Sequence, residues 1–263
     1  MSTLQQQWLI PHWPDLPAGV GVLSTTRRGG VSLPPYHDGQ HCGGLNLGVH
    51  VGDDPAHVAA NRAILRAILP AEPAWLSQVH GSAVVDVSSL PAGEVPQADA
   101  CIATAGGAVC AILTADCLPV LFSDAAGKVV GAAHAGWRGL AGGVLERTLE
   151  AMRAAGAGDI AAWLGPAIGQ YQFEVGPDVM QAFLKQAPDE SAVRHVTGAF
   201  SAIPDRPNKF RADIYALARG ILHRNGVARV SGGEFCTVSN SARFYSYRRD
   251  GVTGRQATLI WIK

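Results

Sequence analysis

The sequence predicts an α+β fold, one domain over residues 1–263 made of mixed sheets with outer helices. Three observations predict it. Strand-like apolar runs and amphipathic helical stretches are interleaved without a regular strand–helix alternation. Its 31 glycines and 16 prolines punctuate the whole length, with no linker, repeat or low-complexity block. The hydrophobic share is 48% against 16% charged, enough apolar material for a large core.

Taken in order, Gly21–Thr26 reads as a strand entering the loop "RRGGVSLPPYHDGQHCGG". "DDPAHVAANRAILRAIL" reads as a helix: Asp53 or Asp54 can cap it, Pro55 suits its first turn, and Val58, Leu65 and Leu69 mark an apolar side. "AWLSQVH" and "AVVDV" read as strands around Gly81. "LAGGVLERTLEAMRAAG" reads as a helix with Leu145, Leu149 and Met152 on one face and Gly156 at its end. "VGPDVMQAFLKQ" is a shorter helix. "ADIYALARGILHRNG" is another, closed by Asn225 and Gly226. The tail "ARFYSYRRDGVTGRQATLIWI" reads as strand, turn, strand.

Composition narrows the function classes. Lys plus Arg equals Asp plus Glu at 21 each, which argues against a broad nucleic-acid or anionic-membrane footprint. The N-terminus has no basic start and no long apolar run, so no secretion signal is expected. The most apolar window, "CIATAGGAVCAILTADCLPVLF", carries Asp116, Pro119 and a glycine pair, and suits buried strands. Five cysteines in a chain of this length read as reduced thiols and a cytoplasmic location.

The stretch "TADCLPVLFSDAAGKVVGAAHAGWRG" carries chemistry. Two apolar strands flank the turn "DAAG". Centred between Ala125 and Ala126, that turn would set Cys117 opposite His134, with Cβ atoms roughly 4.5–5.5 Å apart. A thiolate and an imidazole so placed can share a metal ion; the alternative is two unrelated core residues. Thr114 and Asp116 are polar in an apolar run, where polar groups need a reason. "AGWRGLAGG" turns from strand into helix and offers backbone N–H groups to an anion.

Other candidates are less defined. His80 ends a strand just before Gly81. His37, His41 and Cys42 form a loop cluster that matches no metal signature. Cys101 and Cys110 read as core, and Cys236 is open. Arg27 and Arg28 stand beside two glycines, where Arg can grip phosphate or carboxylate or simply face solvent. Arg248, Arg249 and Arg255 read as a charged hairpin tip.

"TTRRGGVS", "NLGVHVGDDP", "SQVHGSAV", "TADCLPV", "HAGWRG", "WLGPAIG", "FEVG" and "YSYRRDGVTGRQA" follow one another over nearly the whole chain. Together they resemble the laccase-domain family, also called the polyphenol oxidase or purine nucleoside phosphorylase family. Some bacterial members are described as peptidoglycan editing factors. The resemblance implies αββα layering and a zinc site of His80, Cys117 and His134. It also places Arg27 and Asn46 as candidates for the phosphate and substrate pocket. Here the loop "LPPYHDGQHCGG" is longer than is usual for the family, which bears on the pocket mouth.

The resemblance further implies phosphorolysis of adenosine, inosine and methylthioadenosine, and hydrolytic deamination of adenosine. The expected partners are purine nucleosides and phosphate, with no nucleic acid, membrane or obligatory protein partner. In this reading His80, Cys117 and His134 act through zinc with an open coordination position. Arg27 and the "AGWRG" amides hold phosphate, and Asp116 is a candidate general acid or base. Four alternatives stay open: a polyphenol oxidase with copper in place of zinc, a hydrolase editing peptidoglycan precursors, a metal-free hydrolase with Cys117 as nucleophile and His134 as base, and a binding module.

Overall fold

A computed structural model describes residues 7–40, 43–91 and 93–263. β1 (Val20–Ser24) and β2 (Arg28–Ser32) come first, the second inside the stretch read as a loop. α1 (Pro55–Arg66) starts as expected: Asp54 Oδ1 accepts from Ala56 N at 2.8 Å and Pro55 takes the first turn, where no N–H is needed. β3 (Pro73–Ala74), β4 (Val84–Asp86), β5 (Ala100–Ala103), β6 (Val109–Thr114), β7 (Leu118–Asp124) and β8 (Val130–Ala135) follow. Two helices then stand where one was predicted over 140–156. α2 (Trp137–Ala141) and α3 (Val144–Ala154) are separated at Gly143, whose φ of 85° breaks the helical run.

The second half adds β9 (Ile160–Leu164), β10 (Glu174–Val175), α4 (Pro177–Lys185), α5 (Glu190–Gly198), β11 (Phe200–Ala202) and β12 (Phe210–Ala212). It ends with α6 (Ile214–Arg224), β13 (Arg229–Gly232), α7 (Tyr247–Asp250) and β14 (Gln256–Ile262). Asp213 caps α6 through Ala216 N at 2.9 Å.

The strands form a six-stranded sheet, β13-β9-β7-β8-β5-β4, a four-stranded sheet, β1-β14-β6-β3, and a small sheet, β10-β12-β11. Period-two alternation sorts their side chains into layers. Leu118, Val120, Phe122, Ala133 and Ala135 face one way and pack with Leu145 and Leu149 of α3 and Leu217 and Ile221 of α6. Leu121, Val130, Ala132 and Trp163 face the other way and meet Cys110, Ile112 and Ile260 of the four-stranded sheet. The far face of that sheet, Leu23, Ala111, Leu113 and Leu259, packs on Leu65 of α1. The order is helix, sheet, sheet, helix, the mixed α+β architecture expected. No helix of the described residues is long and apolar enough to cross a membrane.

Three expectations need correction. "AWLSQVH" is not a strand: beyond Ala74 only an isolated bridge from Ser77 to Gln97 remains, and the Gln78 side chain pairs with the Leu113 backbone instead. The first strand of the tail is absent. Phe244 and Tyr245 are buried plugs, and the Gln256 side chain takes the Tyr245 backbone bonds that a partner strand would have taken. The predicted register is displaced by two residues, since Pro119, not Cys117, lies opposite His134. The turn is the cause. Gly127, at φ 67°, donates to Asp124 O, while Asp124 Oδ1 accepts from Lys128 N and Val129 N at 2.7 and 2.9 Å. A displacement of two keeps the parity, so Cys117 and His134 stay on one face.

Candidate metal centre

β6 belongs to one sheet and β7 to the other, and the chain crosses between them at Ala115–Cys117. The crossing is made at Asp116, whose φ of 97° is rare for a residue with a side chain. The Asp116 carboxylate fastens the turn: Oδ1 accepts from Thr237 Oγ1 and Oδ2 from Arg248 N, both at 2.6 Å. Cys117 is thereby held at the seam between the sheets, on the face that His134 presents from β8.

His80 comes from the loop between β3 and β4 and also has a positive φ, 60°. One buried carboxylate organises both histidines. Asp99 Oδ1 accepts from His80 N at 2.9 Å and faces His134 Nδ1 at 2.8 Å. Its Oδ2 accepts from Val79 N at 3.1 Å and Gly81 N at 2.7 Å. A proton on His134 Nδ1 satisfies that contact and leaves Nε2 free as a ligand, the arrangement by which carboxylates orient metal-binding histidines. The ligand atoms of His80, Cys117 and His134 all lie within 4.8 Å of one another, with Cys117 Sγ 3.7 Å from His80 Nε2. This set can hold a metal ion.

Charge in the cluster is complementary. Burial alone would raise the Cys117 thiol, but His134 and His80 outweigh it and bring it down to about 6. Burial would lower His134, but Cys117 and Asp99 lift it to about 9. Between those values the metal-free pair is thiolate and imidazolium. Alkylation of Cys117 in metal-stripped protein should therefore rise with pH through a midpoint near 6, against about 8.5 for a free thiol. Peptide mapping after iodoacetamide treatment reads this out, and a midpoint above 8 refutes the pairing.

Gly136 has no room for a side chain: a Cβ there would sit 2.9 Å from both Cys117 Sγ and His80 Cδ2. Two cavities of about 270 Å³ each share His80 and Cys117 as a wall, and His134 lines the first of them. One is lined by His50, Gln78, Thr114 and Arg255; the other by Trp137, Ile168, Phe173 and Ile214. Tyr247, 63% exposed, borders both. Thr114 Oγ1 is buried without a hydrogen-bond partner among the described residues. Arg255 Nη1 donates to the Thr253 and Gly254 carbonyls, and its remaining N–H groups make no hydrogen bond among the described residues.

The structure brings together His80, Cys117 and His134, but not Arg27 or Asn46. Arg27 is 5% exposed and its guanidinium donates to His37 O and Ser241 O, lining a separate cavity. Asn46 is buried and reaches the site indirectly, its Oδ1 accepting from Arg255 N at 2.9 Å. Cys101 and Cys110 are core, and Cys236 Sγ accepts from Gly169 N at 3.2 Å. His37 lies beside Arg27; His41 and Cys42 fall outside the described residues. Sequence reasoning missed Asp99 and the inward position of Arg255. Asp99 had a signal, a lone acid ahead of the apolar run "ACIATAGG".

Two sheets meeting at a Cys–His–His cluster define a protein with a ligand set built at the seam of an αββα fold. The particular family follows from comparison. The model of the family described as multi-copper polyphenol oxidoreductase laccase matches residues 21–263, and the chain belongs to that family. It is 48% identical over 256 residues to an Escherichia coli (strain K12) protein named purine nucleoside phosphorylase YfiH, covering 97% of this chain and 98% of the relative. A Pseudomonas aeruginosa protein, also named a purine nucleoside phosphorylase, is 48% identical over 257 residues, with 97% and 98% covered. Among solved structures, a Neisseria meningitidis protein has a TM-score of 0.87 at 48% identity, covering 98% of this chain and 99% of that one. YlmD from Geobacillus stearothermophilus has a TM-score of 0.82 at 31% identity, with 98% and 96% covered.

Proposed function

We propose that the protein is a zinc-dependent purine nucleoside phosphorylase acting on adenosine, inosine and methylthioadenosine, and that it also deaminates adenosine. The observation that carries this reading is the His80–Cys117–His134 cluster in the wall of a cavity that also holds Arg255. The names of the relatives support the same reaction.

The donor set fits zinc. Two imidazoles and one thiolate with an accessible side match a three-ligand catalytic site with a position left open. A multicopper oxidase needs several histidine-rich clusters, and among the described residues this is the one group of its kind. Zinc held by His80, Cys117 and His134 would supply a Lewis acid.

The chain's own residues do the rest. Asp99 fixes His134 and the His80 backbone. Arg255, rather than Arg27, is the cation for phosphate, because its N–H groups that make no hydrogen bond among the described residues border the cluster's cavity. In phosphorolysis an oxygen of hydrogen phosphate bonds to the ribose anomeric carbon and the bond to the purine nitrogen breaks. The electron pair leaves with the purine, which takes up the proton of hydrogen phosphate. In deamination water adds at purine C6 and ammonia leaves. The described cysteines are free thiols, which suits a reducing, cytoplasmic setting.

The test is zinc content of the purified protein together with phosphate-dependent release of adenine from adenosine. About one zinc per chain with turnover is the expected result. Zinc without adenine release defeats the phosphorylase reading and favours a peptidoglycan-precursor hydrolase or a binding role. Arg255→Gln should raise the KM for phosphate by roughly 10- to 100-fold, the size of a lost charge-assisted hydrogen bond. Zinc content should stay at the wild-type level.

A further inference from the structure

Asn46 and its two neighbours converge on one residue of the site. Each of the three holds Arg255. Asn46 Oδ1 accepts from Arg255 N at 2.9 Å. Leu47 N donates to Arg255 O at 3.1 Å. Gly48 lies under the side chain: a Cβ there would sit 2.8 Å from Arg255 Cγ and 3.2 Å from Arg255 Cβ. Gly48 is not among the glycines with positive φ, so its backbone conformation does not demand glycine; the seated stem of Arg255 does.

The segment is itself gripped from behind by α1. Asn61 Nδ2 donates to Asn46 O at 2.9 Å, and Arg62 Nε and Nη2 donate to Leu47 O at 3.0 and 2.9 Å. Asp53 Oδ2 accepts from Asn46 Nδ2 at 2.9 Å and fixes the direction of the carboxamide. Asn46, Leu47 and Asn61 have no solvent exposure. A loop anchor would end at backbone bonds. Here the stem of Arg255 is seated as well, while its charged end borders the cavity at the cluster.

We infer, resting on the reading of Arg255 as the phosphate cation, that Asn46, Leu47 and Gly48 are positioning residues for phosphorolysis, acting by fixing Arg255 rather than by touching substrate. Arginine is long and loses rotamer freedom when it grips an anion. A backbone clamped at N and O, with the stem laid on Gly48, takes that loss during folding. Phosphate then meets a guanidinium already aimed, and the fork geometry of an arginine–phosphate contact tolerates little displacement.

Gly48→Ala adds one methyl against the stem and leaves every charge in place. In that variant kcat/KM for phosphate should fall about tenfold or more, the scale of a binding group displaced by about 1 Å. Zinc content and the KM for adenosine should stay close to wild type. In an Arg255→Ala background the same substitution should have no further effect, since no stem is left to displace. Phenylglyoxal should modify Arg255 faster in Gly48→Ala than in wild type, read by peptide mapping, because the guanidinium leaves the Thr253 and Gly254 carbonyls. Asn46→Ala removes the acceptor without adding bulk, should act in the same direction, and serves if Gly48→Ala does not fold. An equal loss in both backgrounds overturns the positioning role in favour of a general packing effect. Unchanged phosphate kinetics and unchanged labelling in both variants overturn it too. Faster labelling with unchanged phosphate kinetics defeats Arg255 as the phosphate cation while upholding its fixing by the segment. A wild-type protein that carries zinc but releases no adenine defeats the phosphorylase reading instead, and the labelling rates still decide whether the segment fixes Arg255.

Discussion

Cys117→Ala will purify without zinc and will not release adenine from adenosine, while keeping its fold. The substitution removes one sulfur at the crossing between the sheets. The backbone there is held by Asp116 through Thr237 and Arg248, not by the thiol. The loss of packing is on the order of 1 kcal/mol. Two histidines remain, but a pair lacks the third donor of a zinc site. Metal analysis separates this outcome from the chief rival. A metal-free cysteine nucleophile would also lose activity on going to alanine, yet its wild-type protein would turn over without zinc and be insensitive to chelators. Full activity in the mutant would remove Cys117 from any account of the site.

The path to Cys117 and His134 was legible in the sequence because strand period survives an error in turn length. The turn centre was misplaced by one residue, since the reach of the Asp124 side chain to Lys128 and Val129 cannot be read from "DAAG". That moved the register by two and left the face unchanged. His80 was visible only as a strand-end histidine; its partners come from the turn before β7 and from β8, too distant in sequence for spacing to connect. Helices α1, α4 and α6 were legible from caps and periodicity. The tail and "AWLSQVH" were not, because Gln256 and Gln78 respectively use side-chain amides where a ladder would use backbone. Arg27 was read as a phosphate group because arginine beside glycine suits an anion. In the fold, two backbone carbonyls claim its guanidinium. Arg255 looked like a hairpin tip and faces the cavity because β14 begins immediately after it.

The cluster sits where the backbone is least relaxed. Among the described residues only four other than glycine have positive φ, and two of them are His80 and Asp116. Each conformation costs of order 1 kcal/mol or more and persists because hydrogen bonds fix it. Asp116 has Thr237 and Arg248; His80 has Asp99. Pre-organisation of this kind keeps the ligands together before any ion arrives. It also concentrates the site's integrity in a few buried acceptors.

Asp99→Asn should expose that dependence. The carboxylate receives three backbone N–H groups and faces His134 Nδ1, with no solvent access. An asparagine has one acceptor oxygen, and its amide points two donors at groups that are themselves donors. Some of the four contacts must therefore be lost, at about 1–3 kcal/mol for each buried donor left unpaired. The metal-free variant should melt roughly 5–10 °C lower. Zinc affinity, titrated against a competing chelator, should fall about 10- to 100-fold, the usual effect of removing the partner of a metal-bound histidine. A purely structural residue would move the melting temperature and leave affinity and spectra alone. Here the cobalt-substituted variant should show an altered ligand-field spectrum. The variant should also change the charge pair. Without the Asp99 carboxylate, His134 drops from its raised value near 9, less imidazolium faces the thiolate, and the alkylation midpoint of Cys117 climbs above 6. Zinc affinity within threefold of wild type, with an unmoved Cys117 midpoint, would mean that His134 is oriented by the β8 backbone alone.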